Sequence, residues 1–136
     1  MRVVLDTNVI VSAVCYPRGP IGELFRRALE TLVLLSSDAQ IAELTGVLSR
    51  RKLDRYAPLQ DRLLVVLLMQ SRVEFVTHSG RTNLCSDPKD DHVLDLCSAG
   101  SAEWLVTGDQ ILLDMHSFEG TQIVSPRDFA AMHDVK

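Results

Sequence analysis

The chain has 136 residues, the size of one domain, and we expect a single domain over residues 1–136. With 46% hydrophobic and 24% charged residues, its composition is that of an ordinary folded protein and excludes a disordered or fibrous chain. A net charge of −4 argues against binding a polyanion through overall electrostatics, so either the ligand is not nucleic acid or the acidic groups are gathered where a cation neutralises them. No apolar run approaches the roughly 18 residues that a bilayer crossing needs. Met1-Arg2 leads directly into Val3-Val4-Leu5 and then Asp6, which is not the pattern of a secretion signal, so the expected location is the cytoplasm, without membrane partners. Cys15, Cys85 and Cys97 lie far apart and read as small buried hydrophobes in a reducing compartment. The four histidines are scattered and give no support to a histidine metal site.

In chain order, residues 2–5 read as a short buried strand, followed by an apolar run over 9–14 that reads as a short helix capped by Asp6, Thr7 or Asn8. Pro17, Gly19 and Pro20 mark a turn, and Ile21, Leu24, Phe25, Ala28 and Leu29 recur at helical spacing. Residues 32–35 are the second strand, and Ser36-Ser37-Asp38 cap a helix whose apolar face is Ile41, Leu44, Val47 and Leu48 and which ends in Arg50-Arg51-Lys52. Pro58 opens a helix to about residue 72, in which the apolar run 63–69 reads as core, with self-association as the other reading. A third strand over 73–76 and a polar loop over 78–88 precede a helix that starts near Asp90 or Asp91 and stops near Gly100. The fourth strand is 104–107, Gly108-Asp109 turns into a short helix over 111–115, 122–124 is the fifth strand, and Ser125-Pro126 starts the last helix.

Strands that alternate with helices imply an α/β fold: a three-layer α/β/α domain around a mainly parallel sheet of about five strands. Ligands in such sheets bind outside the carboxyl ends of the strands. Each of four strands is followed by a carboxylate: Asp6, Glu43, one of Asp87, Asp90 and Asp91, and Asp109. Carboxylates crowded together repel, and one of them would normally take a proton. A divalent cation that prefers oxygen ligands removes that cost, activates water and suits in-line attack on a phosphodiester. The plainer alternatives are that Asp6 and Asp109 cap helices, that Asp90 and Asp91 sit in a first helical turn, and that Glu43 is solvated. Asp95 and Asp114 read as surface acids near the rim.

The ordered set Val-Val-Leu-Asp-Thr-Asn-Val-Ile-Val-Ser-Ala, Ala-Glu-Leu, Asp-Pro-Lys-Asp-Asp-His-Val-Leu-Asp-Leu and Leu-Val-Thr-Gly-Asp resembles the PIN-domain family, and within it the VapC-like toxin components. The resemblance runs from residue 2 to about 129. It implies an endoribonuclease that depends on Mg2+ or Mn2+ and is the toxin of a type II toxin–antitoxin system, with Asp6, Glu43, Asp91 and Asp109 as its catalytic, metal-holding acids. Asp91 is preferred over Asp87 and Asp90 because it stands sixteen residues before Thr107, the family's helix-plus-strand spacing. Asn8, Thr107 and Ser12 are expected to orient the ligands. Arg50, Arg51, Lys52 and Arg55 could contact RNA phosphates or simply form a solvated face. The implied partners are an RNA substrate, a small antitoxin and a second copy of the chain or a higher homo-oligomer. Two other readings are weighed against this one. The first is a non-catalytic binding module of the same fold. The second is an aspartate-based phosphatase or phosphotransfer protein, which fits poorly because Asn8 stands where a haloacid-dehalogenase-like enzyme carries its second Asp, and because Thr77-His78-Ser79 follows the third strand where a receiver domain carries its Asp.

Overall fold

The structure, a computed structural model, describes residues 1–77 and 92–133, and of residues 88–91 the helical backbone alone. Six strands form one sheet: β1 (Arg2–Leu5), β2 (Val33–Ser36), β3 (Glu74–Phe75), β4 (Trp104–Val106), β5 (Ser117–Phe118) and β6 (Thr121–Val124), in the order β3-β2-β1-β4-β6-β5. All pairs are parallel except β5 with β6. The helices are α1 (Thr7–Cys15), α2 (Pro20–Thr31), α3 (Asp38–Leu48), α4 (Leu59–Arg72), α5 (Pro88–Ala99), α6 (Gln110–Leu113) and α7 (Pro126–His133), with a 3-10 turn over Arg51–Leu53.

β1 is apolar throughout its buried length because both faces of the sheet are covered. Val3 and Leu5 point into a core with Ile10, Phe25, Leu44 and Met69, while Val4 points to the other face, with Val93, Leu96 and Leu105. The expected three layers follow from that alternation. α2 approaches the turn before it so closely that a Cβ on Gly22 would stand 2.3 Å from the Pro17 carbonyl oxygen.

Three expectations change. The sheet has six strands rather than five, because Ser117–Phe118 turns back on Thr121–Val124 through Glu119 and Gly120, both at positive φ (46° and 88°). This is a tight hairpin turn, and the two-residue β5 that it adds carries no periodic signal. The expected strand over 73–76 narrows to Glu74–Phe75. The run 63–69 is only partly core: Val66 and Met69 are buried in α4, whereas Leu64 and Leu67 are 57% and 61% exposed. Of the expected polar loop over 78–88, residues 78–87 lie outside the described residues, and Pro88 already opens α5, two to three residues before the expected helix start.

The chain leaves β1 to build β2 and β3 on one side, then returns to place β4 on the other. The strand order therefore reverses between β1 and β4, and their carboxyl ends form the crevice in which open α/β sheets bind ligands.

Candidate functional site at the ends of β1 and β4

Asp6 is the residue after β1, and its backbone N–H still donates to Val106 of β4 at 2.9 Å, so the ladder holds it rigidly. It occupies the cap position of α1 but makes no side-chain cap hydrogen bond. Its carboxylate turns across the sheet instead and accepts a hydrogen bond from the Thr107 hydroxyl, Oγ1 to Oδ2 at 2.6 Å. Thr107 is fully buried, and its Oγ1 also accepts from the Asp109 backbone N–H at 3.0 Å. The β1 end is tied to the next strand by Gln40, also fully buried, which donates to the Leu5 carbonyl and accepts from the Ser36 hydroxyl, each at 2.6 Å.

Asp6 is 7% exposed, and its pKa is raised above the usual carboxylate value, first by burial and then by the Glu43 and Asp109 carboxylates, against the lowering effect of the hydrogen bond from Thr107. Three of the four acids singled out in the sequence thus influence one another electrostatically. Among the described residues, no lysine or arginine forms an ion pair with Asp6, Glu43 or Asp109. Asp109 has a second occupation: its Oδ1 accepts from the Ile111 N–H at 2.9 Å and caps α6. Asp109 thus fills a capping role, whereas Asp6 makes no side-chain cap hydrogen bond.

Glu43 lies on α3, half-buried, with its Oε1 3.5 Å from His92 Nε2 on α5. Asp91 belongs to the first turn of α5, but its side chain, like those of Asp87 and Asp90, is outside the described residues. Among the described residues, no three His, Cys, Asp or Glu side chains stand close enough together to hold a metal ion. Asn8, Ser12 and Asp109 line a cavity of about 380 Å³ together with Val9, Ile21 and Gly108. Arg50, Arg51, Lys52 and Arg55 are all exposed, and Lys52 and Arg55 line a cavity with Cys15 and Tyr16 at the far end of α1.

Two residues near the acids depart from the expectation. Asp95 is buried, not a surface acid, because α5 turns that face to the core; Asp114 is exposed, with its Oδ1 accepting from Gln110. His92 was not singled out, since a lone histidine beside Asp91 has no distinctive spacing. Gln40 was missed as well; its one signal is a polar side chain that shares a helix with Glu43. Cys97 is buried as expected, its thiol pushed up to about 12 by burial and then by the Asp6 charge, whereas Cys15 is only partly buried and Cys85 lies outside the described residues.

Comparison with known proteins places this geometry. A family model for the PIN domain matches residues 2–111, which include β1 to β4 and the start of α6. An uncharacterised protein of Methanocaldococcus jannaschii is 27% identical over 117 residues, 85% of this chain and 75% of that protein. VapBC2 from Rickettsia felis, solved bound to a DNA fragment from their promoter, superposes with a TM-score of 0.63 at 19% identity, over 90% of this chain and 97% of that one. FitAcB from Neisseria gonorrhoeae superposes with a TM-score of 0.60 at 18% identity, over 92% and 98%. At such identities the two superpositions speak for the fold.

Proposed function

The chain belongs to the PIN-domain family, and from that premise we propose that it is a metal-dependent endoribonuclease whose acids are Asp6, Glu43, Asp91 and Asp109. The observation that carries this reading is the state of Asp6: nearly buried, drawn away from its capping role, and facing other carboxylates without a basic partner among the described residues. A carboxylate so placed is costly to the fold unless a cation joins it. The donor set is all oxygen, which suits a hard ion such as Mg2+ or Mn2+ held by Asp6, Asp109, Asp91 and Glu43. An ion held there would neutralise the carboxylates and could activate water for attack on a phosphodiester.

The chain's own residues set up the rest. Thr107 donates to Oδ2 of Asp6 and fixes the orientation of that carboxylate, while its contact with the Asp109 N–H holds that loop against β4. Asp109 keeps Oδ2 after spending Oδ1 on the α6 cap. Asn8 and Ser12 line the adjoining cavity, where they orient a phosphate or the ligands around it. Glu43 serves as a further ligand or as base for the attacking water, with His92 Nε2 3.5 Å from its carboxylate. The test is cleavage of RNA by purified protein: activity stops in EDTA and returns with manganese or magnesium, and Asp6→Asn abolishes it in a folded protein. Undiminished cleavage in chelator, or by folded Asp6→Asn, removes this reading.

We also propose that the chain is the toxin of a type II toxin–antitoxin pair, working in the cytoplasm, with a small antitoxin partner and a second copy of itself. The likeness to VapBC2 supports this, and so does α4, which exposes Leu59, Leu64, Leu67 and Leu68 in the isolated chain. A cluster of that size marks a protein interface more often than bare surface. Among the described residues, no helix is long and apolar enough to cross a membrane. Light scattering on the purified chain reads the assembly directly; a dimer that survives Leu64→Lys with Leu67→Lys removes α4 as its contact.

A further inference from the structure

We propose that the groove along α1 continues past the carboxylates into a subsite for single-stranded RNA, where Tyr16 and Tyr56 stack a base and Lys52 and Arg55 hold the adjoining phosphates. The choice of RNA rests on the nuclease reading above; the subsite rests on separate observations.

Both tyrosines of the chain, distant in sequence, meet on one surface. Their ring centroids are 5.3 Å apart at 66°, and their hydroxyls are 3.2 Å apart, with Tyr16 donating. Tyr16 is 59% and Tyr56 38% exposed, so aromatic faces are left to water that a planar ligand could cover. The Arg55 guanidinium stands 5.4 Å from the Tyr56 ring centroid, which adds a cation to the aromatic platform. Lys52, Arg55 and both rings line a cavity of about 330 Å³. Ser12 lines this cavity and also the one beside Asp109, so one residue of α1 borders both.

The charge here is opposite to that of the chain as a whole. Between residues 50 and 56 stand Arg50, Arg51, Lys52 and Arg55 against a single acid, Asp54. Asp54 is occupied by Arg62 of α4, a side chain 1% exposed that also donates to the Arg50 carbonyl at 3.3 Å. One buried guanidinium therefore braces both ends of the basic segment and cancels its acid. Among the described residues, Lys52 and Arg55 form no ion pair, which leaves both cations available to a ligand in the groove. Asp6 and Tyr16 flank α1 at its two ends, about 15 Å apart by helical rise, a span that a few nucleotides of extended strand cover. Stacking with a row of cations is how proteins hold single strands without reading sequence.

The test measures fluorescence anisotropy in the full-length chain carrying Asp6→Asn, so that no cutting intervenes. The probes are a short labelled oligouridylate and an abasic ribose-phosphate oligomer of the same length. The parent binds the base-bearing oligomer about tenfold more tightly than the abasic one. Adding Tyr16→Ala erases that preference, whereas Tyr16→Phe, which keeps the ring, retains it. Lys52→Ala with Arg55→Ala weakens binding of both oligomers and flattens the salt dependence by about 0.7 per lost phosphate contact. Equal binding of the two oligomers by the parent, or a preference that survives Tyr16→Ala, overturns the subsite. Manganese-dependent cleavage by the wild-type chain is scored apart: its absence removes the nuclease reading, and the base preference still decides the subsite.

Discussion

The two ends of α1 are built in opposite ways. At the β1 end, Asp6 is 7% exposed, and Thr107 and Gln40 are fully buried; each is held by hydrogen bonds that reach across strands. At the other end, Lys52, Arg55, Tyr16 and Tyr56 are exposed, and only the backbone beneath them is braced, by Arg62. A group that takes part in bond breaking must stand in one place, which burial and backbone bonds provide at a cost in desolvation. A group that holds a flexible strand needs only a charge or a flat face within reach. Substitutions at the first end should therefore act on turnover and on stability together, and at the second on binding alone.

The sharpest way to break this comparison is Asp6→Asn, which we expect to lower metal-dependent cleavage by about a hundredfold or more. Thr107→Val keeps the shape but removes the donor to Asp6; cleavage should fall by about 10- to 100-fold, measured on protein whose circular dichroism is unchanged. Gln40→Met tests the tie between β1 and β2. It removes both side-chain bonds of a fully buried amide and should cost about 1–3 kcal/mol in urea unfolding. Gly22→Ala, away from the chemistry, should cost about 1–3 kcal/mol by overpacking against the Pro17 carbonyl, with kcat intact. If it lowers kcat as far as Thr107→Val does, the separation of roles is wrong.

The smallest effect has an unusual sign. Burial, reinforced by Glu43 and Asp109, raises the folded-state pKa of Asp6 above its ordinary value of 3.8. Its contribution to stability is therefore full below that ordinary value and is lost as pH rises through the folded pKa. In the metal-free protein, ionising Asp6 therefore carries a cost. Asp6→Asn should accordingly melt a few degrees higher than wild type in EDTA at neutral pH, and the gain should vanish in acid. A lower melting temperature at neutral pH would contradict the assignment of burial as the cause.

Much of this was legible in the sequence because it depends on periodicity and order. The alternation of apolar strands and helices predicted the three layers, and carboxylates just past strand ends pointed to the crevice before any coordinates. The resemblance to the PIN-domain family, carried by the ordered set of motifs from Asp-Thr-Asn through Ala-Glu-Leu and Asp-Pro-Lys-Asp-Asp to Thr-Gly-Asp, agrees with the family match over residues 2–111. What escaped notice depends on contacts between distant residues. Nothing in the spacing tells that Asp6 spurns its cap for a hydroxyl 101 residues away, or that Gln40 reaches back to Leu5. Asp95 looked like a surface acid because charge is a poor guide to which face of α5 turns inward. Of the β5–β6 hairpin only β5 was missed, because a two-residue strand has no period, although Glu-Gly is a turn signal of the kind that closes such pairs.

Those short strands also limit how anything can attach. β5 forms one margin of the sheet and β3 the other, each two residues long, with Glu74 of β3 paired to Arg2 of β1. A margin so brief gives an incoming extended peptide almost no backbone to zip onto. The described sheet is closed to growth from either side, so an associating protein has to seat itself on helical surface, and self-templated stacking into fibres is discouraged by the same geometry.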